Sequence, residues 1–132
     1  MAKFVEFLNH VVVVNTTPHD VVMQDMDGLI VTVPPCGSLV NASAKEMPID
    51  ETGLFVRTVF TGTMDGERVI KKLNEQFNRL NYPKGYRLVI LGSMIAAHAY
   101  PGKVFAMTPV PGFERVPSAE KRMRCDKFTT YA

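Results

Sequence analysis

Between Gly112 and Lys127 the chain carries Arg115, Lys121, Arg122, Arg124 and Lys127 against Glu114, Glu120 and Asp126. The local balance of +2 equals the formal net charge of all 132 residues. Guanidinium groups bind phosphate through paired hydrogen bonds, and aromatic rings offer a face to a purine. Phe113 lies inside the segment and Tyr131 just beyond it, while Pro111 and Pro117 restrict its backbone. These residue types suit a phosphorylated, base-containing small molecule. They also describe a solvated stretch with local ion pairs, and composition alone does not separate the two. Arg57, set in an otherwise apolar run, is a further cation. On an outer face it needs no partner, whereas on an inner face it would require an anion.

Catalytic chemistry is not signalled. Leu88–Leu91 followed by Gly92-Ser93 and a short helix has the outline of an anion cradle. The glycine run of a phosphate-binding fingerprint is missing, so Ser93 reads as a helix N-cap. Leu91-Gly92-Ser93-Met94-Ile95 also lacks the second glycine of a nucleophile elbow. His10, His19 and His98 show no i, i+4 pair, and neither cysteine has a ligand-spaced partner. Asp20, Asp25 and Asp27 do not follow the calcium-loop pattern. The expectation is therefore no catalytic residue, no metal and no cofactor, with His19 ordering a turn through backbone hydrogen bonds. Cys36 and Cys125 read as reduced thiols of a cytoplasmic protein, with a single bridge between them as the alternative.

The elements that must position these groups follow from pattern. Val11–Val14 is a continuous β-branched run, which reads as a strand buried on both faces, in a core or a subunit interface. Asn15-Thr16-Thr17-Pro18-His19-Asp20 turns the chain, because Pro18 fixes its own φ and biases Thr17 towards extended backbone. Val21–Gln24 and Leu29–Val33 form a hairpin around Asp27-Gly28, and Pro34-Pro35 ends it. Residues 38–53 read as an extended excursion or an edge strand, and Leu54–Met64 has strand composition. Asp65 is expected to cap a helix over about 67–80, where Val69, Ile70, Leu73, Phe77 and Leu80 share one face. Tyr86–Leu91 is a strand, Met94–Tyr100 a small helix, and Val104–Met107 a short strand. From Pro109 to Phe128 the chain is expected to stay irregular.

The sum is a single α+β domain over residues 1–132, with a small antiparallel sheet and hairpins at the N-terminus and two helices in the C-terminal half. A chain of this length buries roughly two-thirds of its unfolded surface, enough for a core without staples. The net charge is too small for a nucleic-acid coat, so no DNA or RNA duplex is expected as a partner. Met1–Leu8 is too short and too charged for a signal peptide, and no apolar run reaches bilayer length. A cytoplasmic location without a membrane partner follows as an expectation.

Asn15-Thr16-Thr17-Pro18-His19-Asp20-Val21-Val22, with Pro34-Pro35-Cys36-Gly37 downstream, resembles the N-terminal signature of small phage proteins. Val110-Pro111-Gly112-Phe113-Glu114-Arg115-Val116-Pro117 through Arg124 adds to the likeness. In length and layout the chain is most similar to the phage Thoeris anti-defence signal-sponge family. The resemblance implies a non-enzymatic protein that binds cyclic ADP-ribose isomers made by bacterial TIR-domain enzymes and holds them uncleaved. It implies that cyclic oligonucleotides are a possible second ligand class, and that the protein is a homo-oligomer, a dimer or hexamer, with ligands at subunit interfaces. In that family an aromatic ring stacks on adenine and arginines take the pyrophosphate. By residue type, the candidates here are Arg57, Arg115, Arg122 and Arg124, with Tyr82, Tyr100 and Phe113 as the rings. The competing expectations are a small phage structural or assembly protein and a nucleotide hydrolase.

Overall fold

The computed structural model describes residues 2–131. In chain order the first strands are β1 (Val5–Glu6), β2 (Val11–Asn15), β3 (Val21–Gln24), β4 (Ile30–Val33), β5 (Ala42–Pro48) and β6 (Val56–Gly62). Helix α1 (Met64–Arg79), β7 (Arg87–Leu91), α2 (Met94–Ala99), β8 (Ala106–Pro109) and β9 (Met123–Thr129) follow. The fold is α+β as expected, with the helices in its middle and later part. Among the described residues no helix is long and apolar enough to cross a membrane.

The valine run sits at the centre of three layers. Sheet β1-β2-β7 pairs β1 and β2 antiparallel and β2 and β7 parallel. One face of this sheet, through Val13, Val89 and Leu91, packs on Val21, Met23, Val33 and Cys125 of a second sheet. The other face, through Val14 and Ile90, packs on Ile70 and Leu73 of α1 and Ala96 of α2. Val12, Val13 and Val14 are each 0% exposed, so the run is core rather than subunit interface. A strand covered on both sides has no polar face to alternate with, and this produces the unbroken β-branched run.

The second sheet has the order β4-β3-β9-β8. β3 and β4 form the expected hairpin, closed by an Asp25 N–H to Leu29 C=O bond of 2.8 Å, with Gly28 at φ 87°. The expectation of irregular chain up to Phe128 is overturned, because β9 runs parallel to β3 with Met23 opposite Met123. The N-cap is also corrected: the Thr63 hydroxyl accepts the Gly66 N–H at 3.0 Å, so α1 starts at Met64. Asp65 and Glu67 instead fall in the first turn, where carboxylates complement the helix dipole. The 38–53 excursion contains β5, which pairs with β6 over seven residues as a separate two-stranded ribbon.

Asn15 ties these parts together. Wholly buried, its side-chain amide donates to the His19 and Val33 carbonyls at 2.7 and 3.1 Å. Its side-chain oxygen accepts the Thr17 N–H at 2.9 Å and the Thr17 hydroxyl at 2.6 Å. Its main-chain carbonyl accepts the Cys36 N–H at 2.8 Å. The two conspicuous motifs, Asn15–Asp20 and Pro34–Gly37, are thus one hydrogen-bonded unit. His19 contributes its main-chain carbonyl to it, while Asn15 does the ordering.

Tyr100 plays a comparable part on the helical side. Its hydroxyl donates to Asn41 C=O at 2.7 Å and accepts the Thr63 N–H at 2.8 Å, joining the root of the ribbon to the cap of α1. The ring lies across Gly62 and Gly66, where an added Cβ would overlap it.

Two outcomes are expected. Asn15→Ala strands buried carbonyls and an N–H, and should lower stability by at least about 2 kcal/mol, read as a lower urea midpoint at constant slope. A change within a few tenths of a kcal/mol would remove Asn15 from its central position. Gly66→Ala should destabilise even though Ala gains about 1 kcal/mol of helix propensity. Tyr100→Phe in the same chain should recover part of that loss, and a double-mutant cycle measures the coupling. Strict additivity would refute the contact.

Candidate functional site

The basic segment forms a loop laid over the solvent side of the second sheet. Its ends meet where the Val110 N–H donates to Arg122 C=O at 2.8 Å, and β8 and β9 continue the pairing below. Inside the loop the Phe113 N–H returns to Val110 C=O at 2.9 Å. Gly112, at φ 93°, gives its N–H to the Glu114 carboxylate at 3.0 Å. Ser118–Glu120 makes one 3-10 turn. Compact loops with joined ends commonly carry function, because a rigid scaffold fixes where they start and finish.

Two sequence candidates meet there. The Arg122 guanidinium carbon lies 4.7 Å from the centre of the Phe113 ring, a cation–π contact that holds the guanidinium against the ring. Both border a cleft of about 450 Å³ whose other walls include Val22, Ile30, Val116 and Lys121. Among the described residues no carboxylate lies within ion-pair distance of Arg122 or Lys121. A second cleft, of about 340 Å³, opens beneath Pro18, His19 and Asp20 and reaches Ser93, Met107 and Met123. Val22 and Lys121 line both clefts. Lys121 is absent from the ligand candidates taken by residue type. Its position beside Arg122 was the available signal, while its lack of an ion pair with the adjacent Glu120 is visible only in the structure.

The remaining candidates are dispersed. Arg124 pairs in bidentate fashion with Asp126 at 2.7 and 3.1 Å, since i and i+2 share one face of a strand. That bond holds the Asp126 carboxyl below its ordinary range and raises Arg124. Arg115 is exposed on the loop, outside the Phe113–Arg122 cleft. Arg57 is exposed on the ribbon opposite Met47. Tyr82 stacks between Phe77 and Tyr86, with ring centres 5.4 and 5.2 Å away, in a series that continues to His10. Burial in this stack, followed by the Glu6 carboxylate, pushes its phenol up. Tyr100 is 2% exposed and bound through its hydroxyl, so its ring offers no face to a ligand.

His10 stacks on Tyr86, His98 stacks on Tyr131 at 3.7 Å, and His19 lies at the second cleft. The three imidazoles therefore occupy three separate places. Among the described residues no group of three or more His, Cys, Asp or Glu is placed to hold a metal ion. Ser93 caps α2 by accepting the Ala96 N–H at 3.1 Å. Cys36 and Cys125 are both free thiols, and burial raises the Cys125 thiol further from ionisation.

A wider hollow, about 600 Å³, lies elsewhere, along the start of α1. Two of its charged residues are already paired, Arg68 with Asp65 at 3.3 Å and Glu67 with Lys103 at 3.1 Å. Size alone does not make it the site. The loop cleft combines an aromatic ring, two cations outside ion-pair distance of any carboxylate among the described residues, the Glu120 carboxylate on its rim and apolar walls, a composition that suits a phosphorylated ring compound. Comparison with protein-family models, curated proteins and solved structures returned no match.

Proposed function

We propose that the chain captures a cyclic nucleotide immune signal, of the cyclic ADP-ribose type made by TIR-domain enzymes, and withholds it without cleaving it. The observation that carries this reading is the Arg122 guanidinium laid on Phe113, beside Lys121, with no carboxylate among the described residues within ion-pair distance of either cation. An arginine already held against a ring loses little further freedom when it binds phosphate, and its plane also accepts a stacked base. The lining residues of this cleft include no imidazole, thiol or hydroxyl, and Glu120 is their one carboxylate. A sponge silences its effector by lowering free signal, in the host cytoplasm on this reading. That needs nanomolar binding, about −12 kcal/mol.

Association is part of the proposal, and the ribbon is its surface. Val12–Val14 and Leu73 are spent inside the chain, whereas Ile49, Leu54 and Phe55 are 66, 76 and 60% exposed at the ribbon's end. A two-stranded ribbon is marginal alone in water, so a cover over these residues would stabilise it. The same surface favours the second reading, a small assembly protein in which no ligand is needed.

Purified protein mixed with the TIR-generated signal, filtered and then heat-denatured should release intact nucleotide only after heating. Phe113→Ala or Arg122→Ala should weaken capture about tenfold or more, the scale of a lost charge-assisted bond or ring contact. Degraded product would make the chain a hydrolase, and no depletion would leave the assembly reading. Separately, light scattering should give more than one chain mass, falling to one in Ile49→Asp/Phe55→Asp. A monomeric wild type would reject the ribbon as an association surface.

A further inference from the structure

We infer that the cleft beneath Pro18-His19-Asp20 is the second half of the Phe113–Arg122 site, and that the captured ligand carries a second sugar beyond its phosphates, which this cleft takes. This rests on the reading of the first cleft as a nucleotide site. The two hollows share Val22 and Lys121, so they are neighbours across a narrow ridge. Val21 and Met23 turn into the core, which leaves Val22 on the opposite face of β3, beneath the ridge. Lys121 is half-buried, and an ammonium is a compact point charge that serves an anion on either side of it. The charged middle of a two-ended ligand belongs there.

The second cleft has the walls and rim for the other end. Pro18, Met107 and Met123 supply apolar surface, and thioethers adapt to an irregular outline. Asp20, His19 and Ser118 supply polar groups suited to sugar hydroxyls. His19 enters the turn's hydrogen bonds only through its main-chain carbonyl, and no ion pair engages Asp20 among the described residues. Ser93 spends its oxygen as an acceptor in the helix cap and keeps its own proton for a further partner. At about 450 and 340 Å³ each cleft lies in the lower part of the size range of small-ligand sites, about 300–1,000 Å³. A mononucleotide fills one, and a two-ended nucleotide spans both.

Calorimetric titration of the full chain with TIR-generated cyclic ADP-ribose, and with adenosine monophosphate as a one-ended control, tests this. The variant is His19→Ala/Asp20→Asn, whose side chains are exposed and do not hold the turn. It should lose about tenfold or more in affinity for the cyclic ligand, the scale of one charge-assisted hydrogen bond. Its affinity for the monophosphate should stay as in the wild type, while Arg122→Ala weakens both. Unchanged cyclic-ligand affinity in the double variant, with Arg122→Ala still weakening it, overturns the second half and leaves the first cleft's reading standing. Equal loss for both ligands also overturns it, because the effect would not belong to a second end. A wild type that binds no cyclic ligand overturns both readings.

Discussion

The architecture depends on a buried amide. Asn15 ends the central strand, and all four of its side-chain hydrogen bonds go to a turn and a hairpin end that would otherwise diverge. Its backbone carbonyl then catches Cys36, so the hairpin β3–β4 is gripped where it enters and where it leaves. Thr16 extends the grip to the neighbouring strand, since its N–H and hydroxyl both donate to Leu91 C=O, at 2.9 and 2.6 Å. Both parallel pairings start from strands on either side of this knot. A buried polar knot is costly if half-satisfied and rigid when complete. Among the described residues no buried side-chain polar atom lacks a partner.

Much of this was legible from residue order. The valine run announced a strand covered on both faces, the helical spacing of Ile70, Leu73 and Phe77 announced α1, and Asp27-Gly28 announced a hairpin. β9 escaped notice because prolines and charges before it suggested irregular chain. Its own alternation was the missed signal: Met123 and Cys125 turn inward, while Arg124 and Asp126 turn outward. The cap at Thr63 lost out to Asp65 for a related reason, since both residue types cap well and only the position of Gly66 distinguishes them. Of the ligand candidates, residue type found Arg122 and Phe113 together. It could not tell that Arg124 is satisfied by Asp126, that Tyr82 is enclosed by other rings, or that Tyr100 is structural. Those facts depend on strand parity and on burial, which no single position displays.

A division of labour follows. Arg115, Lys121 and Arg122 lie on a loop whose two ends are fixed by β8 and β9, while the buried hydrogen bonds are concentrated in the turn below it. Substitutions within the loop therefore change what the cleft offers without disturbing the core. The ribbon is the complement of this arrangement. It is held at its root by Tyr100 and presents Ile49, Leu54 and Phe55 outward at its end.

Because β9 pairs in parallel with β3, Met23 must wait for Met123, one hundred positions later (123 minus 23), before its sheet can close. A nascent chain emerging from the ribosome thus carries an unfinished edge on β3 until β9 is made, and such edges are templates for pairing with other chains. Closure over so long a separation is also slow compared with local hairpins and helices. The fold closes only once β9 has been made, and truncation before β9 would leave a sticky fragment rather than a smaller version of the fold.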